Sequence, residues 1–545
     1  MDHINIISRR KFFDRSIKTG LGVALATLTD IPLVVKRALA EGNIGLNGKK
    51  LLFIWLRGAN DGLNSVVPIQ DSAYGPSIRP DIAIPKDPGA DYTATGSADF
   101  PINAASLDAT YSYPYGIRLG NGFAALHPSL KFLAPVYNAG ELALIHRVGY
   151  PSQSRSHFDS QKYWENGNPR NNLVNSGIFY RAMLEGILAS PADVALRALT
   201  GVSIQSSLPL ILRGSDAAMT NLSDPLRYDL LGVPNTVPGK GKAKTALEEA
   251  NEFQFVNKKN RDLLQLQYRN MANTLEIFAG IDFTEGGNTF RDDEITDNDT
   301  EWAAGNGGEG YYLFPTNSEK NGGWRRPDGS AVFNKYAVPT GGHSFFEKLK
   351  AAALILNKTE AMVAGTEFGG FDTHNNQGGV NGAHANLNRQ IGWSMYALKK
   401  YFERYGDQAA WQNLVVVTLT EFGRTTVQNS NVGTDHAEAG VMWVGGGGVN
   451  GGVYNCGNSD PVPWVPGPAD QGGGIDGSMF GVNNRYLRRA SDYRSVLGEI
   501  IRKHLGATSG QMERIIPGYA DAGENLLSGG SGLDGTAITG ELSIL

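Results

Sequence analysis

The sequence predicts an α/β protein whose mostly parallel sheet is covered on both faces by helices. Two observations carry this. Short, continuous apolar runs of strand length recur along the chain, each closed by glycine or a polar residue. Amphipathic helical stretches separate them, and strands that alternate with helices imply a parallel sheet. At 545 residues the chain is long for one compact core, so one large domain with insertions, or two domains, fits.

In chain order, "LLFIWLR" (51–57) is the first strand candidate, ended by Gly58. The amphipathic stretch "HPSLKFLAPVYNAG" precedes the second, "LALIHRVG" (142–149). A weaker third is "PLILRG" (209–214). The helix "HSFFEKLKAAALILNK" places Phe346, Leu349, Ala353 and Leu356 at helical spacing before the fourth strand, "AMVAGTEFGG". "HANLNRQIGWSMYALKKYFERYG" carries one stripe, Leu387, Ile391, Met395, Leu398 and Phe402, before the fifth and clearest strand, "LVVVTLT" (414–420). "VMWVGGGG" is the sixth. Near the end, "SDYRSVLGEIIRKHLG" predicts a capped helix with Leu497, Ile500, Ile501 and Leu505 inward. Residues 220–345 differ: a long polar helical segment is followed by a Gly-, Asn- and Asp-rich run, expected to form an insertion or cap on the α/β core.

The first forty residues read as an address. Ser8-Arg9-Arg10-Lys11-Phe12-Phe13 resembles the twin-arginine export signal, an apolar stretch runs from Gly20 to Val35, and Ala38-Leu39-Ala40 offers a small-x-small cleavage site. Residues 1–40 are then the signal and 41–545 the α/β domain. The expected location is periplasmic or extracellular, with the twin-arginine machinery as export partner. Asp30 and threonines make the apolar stretch a poor membrane span, so no stable transmembrane anchor is expected after cleavage.

Net charge −5 and pI near 6.0 argue against a dedicated nucleic-acid binder. Cys456 is the only cysteine, which excludes an internal disulfide and a thiolate zinc site. The 69 glycines cluster with Asn, Ser and Asp in loops, as expected of an elaborated loop surface over a regular scaffold.

Active sites of open α/β sheets gather beyond the carboxyl ends of the strands. Asp61 follows the first strand. Asp372 follows the fourth, with His374 two residues on, and Glu421 follows the fifth directly. Asp435 and His436 stand just before the sixth. Carboxylates and imidazoles from several loops suit one or two divalent cations, Zn²⁺ or Mn²⁺. Any one of these alone reads more readily as a turn residue or helix cap; their repetition is the signal. Ser156 begins a helix, where backbone N–H groups and the dipole favour anions. It reads either as a metal-activated nucleophile, with Ser154 as runner-up, or simply as an N-cap. His157 and Asp159 are further polar candidates. Arg424 either contacts an anionic substrate or holds a carboxylate, and His384 either backs the metal site or caps its helix.

Together "WLRGANDGLNSVVP", "LHPSL", "SRSHFDSQKYWENG", "GGFDTH", "TEFGRT" and "GTDHAEAG" resemble the bacterial family known as domain of unknown function 1501, of the alkaline phosphatase–sulfatase superfamily. The resemblance spans about 51–518 and is thinnest over the middle insertion. It implies an alkaline phosphatase-like α/β fold, often with a two-metal centre. It also implies Asp61 as the aspartate after the first strand, Ser156 as nearest match to the nucleophile, Asp372 and His374 as a metal pair, and His436 as the late histidine. One departure stands out: relatives place Asp-His after the fifth strand, where this chain has Glu421-Phe422. The second metal position therefore lacks an imidazole and is either empty, altered or filled by Glu421 and Asp435. The Cys-x-Pro-x-Arg signature of formylglycine sulfatases is absent.

The expected activity is hydrolysis of a phosphate or sulfate ester, small-molecule or polymeric, by metal-activated Ser156 or water. The alternative is a non-catalytic exported binding or surface-assembly protein on a degenerate hydrolase fold, which the Glu421-Phe422 departure favours. A metal-dependent isomerase or transferase is disfavoured by export away from cytoplasmic metabolites. The Gly446-x-Gly448-x-x-Gly451 pattern opens no helix and is not a dinucleotide site. "DNDTEWAAGNGGEG" lacks the EF-hand placement and reads as a solvated loop.

Overall fold

The structure, a computed structural model, describes residues 44–98, 113–188, 200–225, 310–318, 340–464 and 486–545, apart from 46, 216, 218 and 522, with isolated positions between 245 and 333. The segment read as an export signal, 1–40, and most of the 220–345 insertion lie outside the described residues.

Nine strands form the main sheet: β1 (Lys50–Leu56), β2 (Leu142–Gly149), β3 (Gly201–Ile204), β4 (Thr220–Leu222), β5 (Val363–Phe368), β6 (Leu414–Thr420), β7 (Gly440–Gly445), β8 (Gly452–Tyr454) and β9 (Ser491–Asp492). Their spatial order is β8-β2-β7-β6-β1-β5-β3-β4, with β9 beside β2. Every pairing is parallel except those of β7, which runs antiparallel to both β6 and β2. A separate four-stranded antiparallel sheet lies within 294–333, inside the insertion.

One strand expectation is corrected. "PLILRG" forms a 3₁₀ turn at Leu210–Leu212. Pro209 precedes it and has no N–H to give to a ladder. The strand that pairs with β5 is instead the four-residue β3, too short to stand out as an apolar run.

The helices are α1 (Leu133–Asn138), α2 (His157–Asn166), α3 (Ile178–Leu188), α4 (Thr340–Lys358), α5 (Ala383–Arg404), α6 (Tyr493–Glu499) and α7 (Ser509–Ile515). Because side chains alternate across a strand, β1 feeds two cores. Leu52, Ile54 and Leu56 pack with Val136 of α1, Leu349 and Leu356 of α4, and Ile391 and Leu398 of α5. Leu51, Phe53 and Trp55 pack with Met183 of α3, Leu497 of α6 and Ile515 of α7. Each side chain of that size contributes about 1.5–3 kcal/mol on full burial. No helix among the described residues is long and apolar enough to cross a membrane.

Register sets up the site. Leu56 lies opposite Phe368 on one side and Thr420 on the other, so the loops after β1, β5 and β6 leave the sheet at one level. The reversed direction of β7 brings its amino end, and the segment before it, to that same edge.

Candidate metal centre

The chain leaves β1 through Gly58, whose φ of 107° favours glycine and where a Cβ would collide with the backbone nitrogen of Asp372. This close passage lets the loop wrap the Glu421 carboxylate. The Gly58 N–H donates to Oε1 at 3.1 Å and the Ala59 N–H to Oε2 at 3.0 Å. The loop after β6 then pairs with the segment before β7: Ala437 N–H donates to Gly423 O at 3.0 Å and Thr425 N–H to Asp435 O at 2.9 Å. The loop after β5 is tied to the same segment by Thr434 N–H to Thr373 O, 3.1 Å. The first residue of α2 is His157. Three stretches remote in sequence thus deliver His157, the pair Asp372 and His374, and His436.

Their donor atoms converge. His436 Nε2 lies 3.0 Å from His157 Nε2, 3.0 Å from His374 Nε2 and 3.2 Å from Asp372 Oδ1. Asp372 Oδ1 lies 3.0 Å from His374 Nε2 and 3.5 Å from His157 Nε2. Ligands held tetrahedrally at about 2.0–2.1 Å from a cation sit about 3.4 Å from one another.

The far side of each ring explains the convergence. His374 Nδ1 meets Asp435 Oδ1 at 3.1 Å, His436 Nδ1 meets the Arg155 carbonyl at 2.9 Å, and His157 Nδ1 faces Glu421 Oε1 at 3.7 Å. For His374 and His436 the acceptor at Nδ1 fixes the proton there and turns the Nε2 lone pair inward, the arrangement of metal-ligating histidines, whereas His157 and Glu421 meet at ion-pair distance only. His157 Nε2, His436 Nε2 and Asp372 Oδ1 form one cluster that His374 Nε2 adjoins, and the Arg424 guanidinium, which donates to that same Oδ1 and lies 3.5 Å from His374 Nε2, offsets only part of their repulsion. Around that point three carboxylates (Asp372, Glu421, Asp435) face one guanidinium (Arg424), a residual charge of minus two that a divalent cation cancels. These residues fit Zn²⁺ or Mn²⁺.

Local electrostatics follow the same geometry. Partial burial pulls the Asp372 carboxyl upward, but the hydrogen bond and charge of Arg424 outweigh it and lower its pKa to about 2. The Glu421 carboxylate raises the His157 pKa, while burial and then the Arg424 charge lower that of His436.

The remaining sequence candidates take other places. Asp61 stays outside the cluster: Arg79 Nη1 and Gln377 Nε2 each donate to its Oδ2 at 2.6 Å, and Arg79 Nη2 donates to Oδ1 at 3.2 Å. Asp435 and Glu421 orient rings. Arg424 is buried and donates to the carbonyls of Ala59, Thr434 and Phe371 as well as to Asp372, so it clamps loops. Ser156 caps α2, its Oγ accepting from Asp159 N–H at 3.4 Å, and the Ser156 N–H donates to Ser154 Oγ. His384 is buried against Asn60 Oδ1 at 2.9 Å, and burial lowers its pKa to about 4. Cys456 is buried and its thiol pushed up, so it is no nucleophile.

Sequence reasoning missed the Arg155 carbonyl, Asn429, which donates to Asp435 Oδ1 at 2.9 Å, and Arg79. A backbone acceptor has no residue-type signal. Arg79 lies eighteen positions from its partner and forms no motif with it.

A family model described as "Protein of unknown function (DUF1501)" matches residues 329–465. That quarter of the chain holds Asp372, His374, Glu421, Arg424, Asp435 and His436, and the match supports the family resemblance carried by "GGFDTH", "TEFGRT" and "GTDHAEAG". Asp61, Ser156 and His157 fall outside it. No curated protein and no solved structure matches the chain.

Proposed function

We propose that the chain is an exported metal-dependent hydrolase of phosphate or sulfate esters that acts through a water rather than through Ser156. The observation that carries this is the set of three imidazoles whose Nε2 atoms lie 3.0–3.5 Å from Asp372 Oδ1, two of them hydrogen-bonded at Nδ1. His157, Asp372 and His436, with His374 beside them, would hold a divalent cation, which when bound would supply polarisation of an ester oxygen and a lowered pKa for a water. The chain's own residues hold and open the site. Glu421, Asp435 and the Arg155 carbonyl lock the rings, and Arg424 fixes Asp372 against the loops. The Asp372 side chain remains 47% exposed and that of His374 35%, which leaves an approach for substrate. The amino end of α2 starts at His157, and its dipole favours an anionic ester group there. Ser156 Oγ accepts from Asp159 N–H at 3.4 Å as the helix cap, and it makes no hydrogen bond to His157, Asp372, His374 or His436.

The test compares hydrolysis of a chromogenic aryl phosphate and an aryl sulfate by metal-reconstituted, chelated and Ser156→Ala protein. Activity that needs metal and survives Ser156→Ala supports the proposal. Loss of several orders of magnitude in Ser156→Ala with metal retained returns the nucleophile to Ser156. One observation favours the binding-protein reading: the Asp-His expected after β6 is Glu421-Phe422, and Phe422 is buried against the rings of His157 and His436 at 4.8 Å. A metal-replete protein inert to both esters would decide for it.

A further inference from the structure

A cavity of about 610 Å³, within the usual range for ligand sites, opens at the same sheet edge. Its wall includes Arg57, Gln161, Glu165, Gln205, Arg213 and Lys348. Arg57 follows β1, Phe368 and Gly369 end β5, and Gln205 follows β3, so three adjacent strand ends form one side. Helix α2 joins the cavity to the metal centre. His157, Gln161 and Glu165 recur every fourth residue and share one helix face. At 1.5 Å per residue, Gln161 lies about 6 Å and Glu165 about 12 Å along the axis from His157.

Among the described residues, Glu165 Oε1, Gln205 Oε1 and Arg57 Nη1 on this wall are buried with no hydrogen-bond partner. Unmet groups of this kind are costly, and native structures keep few of them. Arg57 Nε is held by Glu367 at 3.0 Å and its Nη2 lies 3.6 Å from Glu165 Oε1. Arg213 and Lys348 close no ion pair among the described residues. Burial, against the pull of Arg57, pushes the Glu165 carboxyl up to about 7, so near neutral pH it both donates and accepts. Phe345 and Phe368, stacked with centroids 4.3 Å apart, supply an apolar face.

We infer that this cavity is the subsite for the organic part of the ester, and that it takes a sugar-like polyol bearing an acid group. Amide and carboxyl side chains match the mixed donors and acceptors of adjacent hydroxyls. The aromatic pair matches the C–H face of a sugar ring, and Arg213 and Lys348 match the acid. The placement of this subsite in catalysis rests on the hydrolase reading; the recognition itself needs no metal.

The test is binding of glucuronic acid and of glucose to the full chain, followed by saturation-transfer NMR and titration calorimetry. We expect glucuronic acid to bind more tightly than glucose. Lys348→Ala and Arg213→Ala should each weaken glucuronic acid at least tenfold while leaving glucose within about twofold, and Gln205→Leu should weaken both. His436→Ala should bind both sugars as the wild type does. Failure of glucuronic acid to bind the wild type, or equal binding by wild type, Lys348→Ala and Arg213→Ala, overturns the subsite. Sugar binding without any ester hydrolysis overturns the hydrolase reading and leaves the subsite standing. Metal-dependent aryl-ester hydrolysis without sugar binding does the reverse.

Discussion

His436→Ala should abolish the response of this protein to chelation. His436 Nε2 is the hub of the centre, 3.0 Å from two other imidazole nitrogens and 3.2 Å from Asp372 Oδ1. With metal present it is a ligand; without metal it adds a third lone pair to a repelling set. A cation that binds only the folded chain stabilises it by RT ln(1 + [M]/Kd), about 2.7 kcal/mol when free metal is one hundred times Kd. The wild type should lose about that much on chelation, and His436→Ala should lose almost none. In chelator the variant should be as stable as the wild type or more so, because one of the facing lone pairs is gone. Urea unfolding with Zn²⁺ or Mn²⁺ and with EDTA measures both proteins, and elemental analysis counts the ion, expected at one per chain in the wild type. A wild type that holds no metal after reconstitution refutes the reasoning. So does a chelator response that His436→Ala leaves unchanged.

Asp435→Asn should keep the ion but weaken its affinity about 10–100-fold, since it removes the negative charge that anchors His374 Nδ1; competition with a chromogenic chelator reads this. Asp61→Asn should leave metal content intact yet destabilise the fold by about 3–5 kcal/mol in urea, because it leaves buried Arg79 without its counter-charge; depleted metal would mean that Asp61 is a ligand after all. The Glu165 carboxyl is raised from its ordinary 4.5 to about 7 in the folded chain. Stability present below pH 4.5 is therefore lost as pH rises through 7, by about 3 kcal/mol at 1.36 kcal/mol per unit. Glu165→Gln should flatten that loss, and an unchanged pH dependence of unfolding would contradict the assignment. Replacing Arg9 and Arg10 together by lysine should leave the protein in the cytoplasm with residues 1–40 attached, as fractionation and mass measurement would show; normal export would mean the signal is misread.

Much of the scaffold was legible because burial on both faces leaves continuous apolar runs. "LALIHRVG" and "LVVVTLT" mark β2 and β6 to the residue, and the stripe from Leu387 to Phe402 marks the inward face of α5. The four-residue β3 was not legible, since its pairing with β5 rather than its composition makes it a strand. At the site, Asp372, His374 and His436 stood out as ligand types at strand ends. His157 did not stand out as a ligand, because a histidine at the start of a helix has many uses.

The sequence by itself determined the α/β class, the helices that cover the sheet and the pool of carboxylates and imidazoles available for chemistry. These follow from local pattern: apolar runs, helical spacing and residue type. Only the tertiary structure decided which members of that pool meet. A strand's direction is a property of the whole sheet, and it is the antiparallel run of β7 that brings His436, which precedes a strand, to the edge where the other strands end. Likewise the distinction between Asp61 and Asp372 lies in their neighbours. Both are aspartates after a buried strand. Arg79 and Gln377 occupy the oxygens of one, while three imidazole nitrogens gather, beside the Arg424 guanidinium, around an oxygen of the other.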